Sequence, residues 1–152
     1  MAFEQLINEL NRLQRRIYES YREFNTTQDN LDSKELIDFF YQQAAQRKSY
    51  YTSIRETIKS LGQIPKDVTH PFSDAADEIF TDIKTIFSTE DDKMILQEAK
   101  AVEQRLLTSY DQALGVASVT PELAKLLNEQ RDEVARDHEV ISRELDKVSK
   151  HS

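Results

Sequence analysis

The chain has no cysteine, no tryptophan, two glycines and three prolines. Without cysteine there is no disulfide framework and no thiol nucleophile. Two glycines cannot build the glycine-rich loops that cradle phosphates in nucleotide-binding folds. So few glycines and prolines leave little material for turns, which points to long helices. Long apolar runs are also missing. None approaches the roughly 20 residues needed to cross a bilayer. The opening residues, Met1 to Leu6, carry neither the basic nor the apolar stretch of an export signal, so the expected location is the cytoplasm. Clustered positive charge is scarce as well. The formal net charge is -8, with Lys and Arg scattered among a larger number of acids. Duplexes and anionic membranes are gripped by clustered cations, so neither nucleic acid nor membrane is an expected partner.

What the chain does have is helical periodicity. Phe3, Leu6, Leu10, Leu13, Ile17, Tyr21 and Phe24 recur at steps of three and four, predicting a helix over about 3–28. A second helix is expected over about 33–61. Asp32 with Glu35 reads as a capping box at its start, and Gly62 followed by Pro65 as its stop. Its stripe is Ile37, Phe40, Ala44, Arg47, Tyr51, Ile54, Ile58 and Leu61. A third helix, about 90–117, carries Ile95, Ala99, Val102, Leu106 and Ala113, beside a second seam of Leu96, Glu103, Tyr110 and Leu114. Thr120 and Pro121 open a fourth, about 121–149, with Leu123, Leu127, Gln130, Val134, His138, Ile141, Leu145 and Val148 in its stripe. The first and last pairs of helices are joined by short loops. The long connection between the second and third carries a smaller amphipathic stretch at about 74–87. The expected fold is all-α, one domain over 1–152. It is a ferritin-like four-helix bundle, two antiparallel hairpins joined by a long crossover with a short extra helix.

The stripes are interrupted where a bundle interior should be apolar. Arg47, Glu103, Gln130 and His138 fall at or within about a turn of mid-height, with Tyr21 of the first helix at a similar level. Buried polar groups must be hydrogen-bonded. The expectation is therefore that Arg47 pairs with Glu103, and that Gln130, His138 and a tyrosine complete a network. A di-iron centre of the ferritin type is not expected, because it needs two E-x-x-H pairs. The second helix has no histidine, and Ala135 stands three residues before His138. The metal alternative that survives is a weak iron or manganese site on Glu103 and His138. On the second helix Phe39, Tyr41 and Tyr50 lie off the stripe. They are read either as covered by the crossover, through Phe80 and Phe87, or as a homodimer surface, with Phe39 and Tyr50 its candidate contacts.

Several segments together resemble a bacterial family of ferritin-like four-helix-bundle proteins classed as a domain of unknown function. They are Leu61-Gly62 with Pro65, Phe80-Thr81-Asp82-Ile83-Lys84, Ile95-Leu96 through Glu103, Tyr110-Asp111-Gln112-Ala113-Leu114, and then Leu127, Gln130, Glu133, His138 and Ile141. The resemblance implies a ferritin-like bundle with no assigned activity, in which Glu103, Gln130 and His138 match inward polar positions. Arg22-Glu23-Phe24-Asn25 departs from the glycine-and-tyrosine segment such a family would carry there. So does Tyr41, where a Glu is usual, and both departures weigh against a metal function. The resulting expectation is a non-enzymatic bundle with no cofactor, acting as a stress-associated or protein-interaction module through a homodimer or another protein. The alternative is a metal-dependent oxidoreductase-type protein using Glu103 and His138.

Overall fold

The computed structural model describes residues 2–27, 30–66, 92–116 and 118–150. Four α-helices account for most of them: α1 Ala2–Thr27, α2 Lys34–Ser60, α3 Asp92–Leu114 and α4 Pro121–Lys150. The expected crossover helix at 74–87 lies outside the described residues, as do Phe80 and Phe87.

The helix ends follow from local chemistry. Ser33, in an extended conformation, caps α2 by accepting a hydrogen bond from the Leu36 amide. This corrects the expected Asp32 and Glu35 capping box. With Ser33 as the cap, Glu35 falls one position too early to reach back, and the Asp32 amide instead donates to the Asp92 carboxylate at the head of α3 (3.0 Å). At the other end of α2, Gly62 takes φ +81° and donates to Lys59, while Gln63 donates to Ile58. That pair of bonds is a Schellman stop, and the left-handed residue it needs is the glycine. Thr120 accepts from the Leu123 amide, with Pro121 in the first turn of α4.

Helix α1 packs against α2 on one side and α3 on the other, and α3 packs against α4. Having two neighbours explains the breadth of its buried face. The face holds the expected Leu6, Leu10, Leu13, Ile17, Tyr21 and Phe24, and also Asn11, Gln14, Tyr18 and Ser20. The bond from Asp32 to Asp92 places the head of α3 beside the head of α2. At the opposite end of the bundle, Phe3, Leu61, Ser118 and Leu123 border one cleft. So α3 runs parallel to α2, and the two hairpins are not a simple up-down-up-down bundle. The stretch after Gly62 turns back along the helices. Pro65 is buried, and Lys66 is bonded to Asn11, Gln14 and Arg55. Among the described residues no helix is long and apolar enough to cross a membrane.

Candidate functional site

One residue from each helix meets at the centre: Ser20 of α1, Arg47 of α2, Glu103 of α3 and Asp137 of α4. Arg47 and Glu103 are wholly buried, Ser20 likewise, and Asp137 is 6% exposed. The Arg47 guanidinium divides its donors among them. Its Nε donates to Ser20 Oγ (3.1 Å), and its Nη2 to Asp137 Oδ2 (2.8 Å) and to the Glu103 oxygens (3.3 and 3.4 Å). Nη1 turns to the neighbouring Gln46. The Ser20 hydroxyl in turn donates a hydrogen bond to Glu103 Oε1 (2.7 Å). The rings of Phe24 and Tyr50 cover the guanidinium, at 5.5 and 5.8 Å from its carbon.

Buried charge is costly unless paired and hydrogen-bonded, and here the pairing is uneven, with one cation facing two carboxylates. Burial raises the proton affinity of Glu103 above the ordinary carboxylate value, and Arg47 only partly offsets this. Asp137 is shifted the same way for the same reasons. Burial alone would lower the Arg47 pKa, but Glu103 and then Asp137 overcome it and hold the guanidinium charged. The layer can therefore take up a proton on a carboxylate while its cation stays fixed.

A second, neutral layer lies toward the α3–α4 loop. Tyr110 donates its hydroxyl to Gln130 Oε1 (2.7 Å), and Gln130 Nε2 makes a long contact to Ser53 Oγ (3.4 Å). Burial pushes the Tyr110 phenol well above its usual range, so it stays protonated as the donor. Seven residues separate Glu103 from Tyr110 and Gln130 from Asp137, two helical turns, or about 10 Å of rise.

The residues picked out by periodicity are thus distributed unequally. Arg47 and Glu103 meet. Gln130 is buried but belongs to the neutral layer. Tyr21 is buried and stacks on Tyr18 (6.1 Å between ring centres). His138 stands half-buried, outside both layers. Its pKa is lowered, first by burial and then by Lys100. Asp137 holds the inward position expected for it. Both residues fit the repeat, since Val134 to Ile141 can be divided as four plus three or three plus four. Arg47 decides the matter by offering a cation to the carboxylate. Phe39 and Tyr50 are half-buried and packed on the core, Phe39 edge-on to Phe24 (6.3 Å), while Tyr41 is 67% exposed.

The donors present do not suit a resident di-metal group. Both oxygens of Glu103 are engaged by Arg47 and Ser20, and Asp137 is engaged by the same guanidinium. His138 is not part of the layer. A fixed cation stands where metal charge would have to sit. Among the described residues no three His, Cys, Asp or Glu side chains are grouped to hold an ion.

A four-helix bundle with a charged central layer is the class these observations define. The chain belongs to the family described as "Domain of unknown function (DUF2383)", whose model matches residues 5–115. The matched stretch includes Ser20, Arg47, Glu103 and Tyr110, whereas Gln130 and Asp137 lie beyond it on α4. No curated protein and no solved structure matches the chain.

Proposed function

We propose that this chain is a non-enzymatic bundle of ferritin-like connectivity whose centre is closed by its own ions, and that it works through its surface as a protein-interaction module. The observation that carries this reading is the placement of Arg47. A permanently charged guanidinium, shielded by two rings and bonded to residues of the other three helices, fills the position where a bundle would otherwise hold a cation from solution. The parallel run of α2 and α3, which calls for a long crossover between them, supports the ferritin-like connectivity. Of the exposed large apolar side chains, Tyr41 supports contact on the outer face of α2, beside the half-buried Phe39.

The test is metal loading of the full chain, purified without an affinity tag and exposed anaerobically to iron(II) or manganese(II), with bound metal counted by mass spectrometry. The proposal expects substoichiometric metal that does not change in Glu103→Ala or His138→Ala. Near-stoichiometric metal lost in both variants would overturn it in favour of a metal-dependent oxidoreductase-type protein.

A further inference from the structure

The exposed side of α1 gathers positive charge that the central layer does not use. A groove of about 520 Å3 is lined by Arg12, Arg15, Arg16 and Lys66, with Glu19 the one carboxylate among its described lining residues. Arg12 and Arg16 each reach an acid on their own helix, Glu9 at 3.4 Å and Glu19 at 3.1 Å. Arg15 and the Lys66 ammonium have no ion-pair partner among the described residues. Three arginines within five residues share one side of the helix, at spacings where like charges repel. On a chain of net charge -8, so local a cationic surface is out of keeping with the rest.

Lys66 is not there by sequence proximity. Its amide donates to Asn11 Oδ1 (2.9 Å), and its carbonyl accepts from Gln14 (2.8 Å) and Arg55 (3.1 Å). Three backbone hydrogen bonds therefore hold Lys66, from a different segment, in the wall of the groove that the arginines line. Asn11, 9% exposed, spends its oxygen on Lys66 and Gln14, which leaves its amide nitrogen as an unused donor in the groove wall. Arginine, lysine and an amide donor lining one groove are the residue types that match phosphate oxygens. The volume exceeds the needs of one phosphate, and the charge exceeds what one carboxylate could balance. Arg12 and Arg16 also border an adjoining groove of about 280 Å3 with Arg105, which extends the cationic track.

We propose that this groove binds a linear oligophosphate, free or carried by a nucleotide, along Arg12, Arg15, Arg16 and Lys66. This holds independently of how the bundle centre is read. Tripolyphosphate, pyrophosphate and ATP are titrated calorimetrically into the full chain at low salt. The comparison variants are Arg15→Gln/Lys66→Gln and Arg143→Gln/Lys147→Gln, the latter removing the same charge from distant exposed sites on α4. Saturable binding should strengthen from pyrophosphate to tripolyphosphate and fall by about tenfold or more in the groove variant, a loss of about 1.4 kcal/mol. The α4 variant should change it less than about twofold, and circular dichroism should show both variants folded. A tripolyphosphate response with ATP silent assigns a free chain, and an equal response assigns the triphosphate portion of a nucleotide. No saturable binding of tripolyphosphate at millimolar concentration, or equal weakening by both double variants, would overturn the proposal.

Discussion

Two polar layers cross the same bundle interior about two helical turns apart, and they solve the same problem differently. The layer at Arg47 holds one cation against two carboxylates, drawing a residue from every helix. The layer at Tyr110 is neutral, a phenol donating to an amide that reaches a serine across three helices. In the neutral layer each group is matched by complementary donors and acceptors, so nothing titrates. In the charged layer no arrangement of one guanidinium and two carboxylates leaves zero net charge unless a proton is bound. The charged layer thus makes fold stability depend on pH and on one side chain, while the neutral layer only adds a hydrogen bond.

Breaking the charged layer should have the largest effect. Arg47→Met removes the cation that pairs with both Glu103 and Asp137 and should cost about 3–5 kcal/mol in urea denaturation at pH 7. The cost should shrink at mildly acidic pH as the abandoned carboxylates take up protons. Tyr110→Phe should cost about 1–2 kcal/mol, since the Gln130 oxygen loses its donor in a site 4% exposed. That loss should be the same from pH 5 to 8, which is what distinguishes a neutral layer.

Glu103→Gln sharpens the contrast further. The folded-state proton affinity of Glu103 is raised, so its stabilising contribution is complete below the ordinary carboxylate pKa and declines as pH rises through the folded value. The amide mimics the protonated form, leaves Arg47 with Asp137, and should cost less than about 1 kcal/mol at pH 7. Wild type should therefore gain stability on mild acidification relative to Glu103→Gln, as read by paired denaturation curves across pH. His138→Gln should be the mildest change, within about 0.5 kcal/mol. Its sign is opposite. The depressed pKa of His138 gives stability that is present above the ordinary histidine value and lost as pH falls through the folded one.

The fold was largely legible in the chain because its signals are local. The Leu61-Gly62 stop, the Thr120-Pro121 start and the stripes on α1 and α3 depend on neighbours a turn away. Local signals place the start of α2 one residue early because Asp32 and Ser33 are both good caps, and the bonds from Leu36 to Ser33 and from Asp32 to Asp92 separate them. The centre was legible where a stripe offered one polar candidate, as at Arg47 and Glu103. It was not legible where the repeat admitted two. Periodicity allows Asp137 or His138 between Val134 and Ile141, and Ser20 or Tyr21 between Ile17 and Phe24. The choice is made by a guanidinium from another helix, which no local pattern contains. Lys66 shows the same limit, since the bonds that bring it to the arginines join segments more than fifty positions apart.

The central claim is that Arg47 is the cation on which this interior closes. Urea unfolding at pH 7 of Arg47→Met beside Arg47→Met/Glu103→Met/Asp137→Leu tests it most directly. The single variant should lose several kcal/mol and the triple variant should recover most of that loss, because removing the carboxylates removes the charge left without a partner. A single variant as stable as wild type, or a triple variant no better than the single, would contradict the claim.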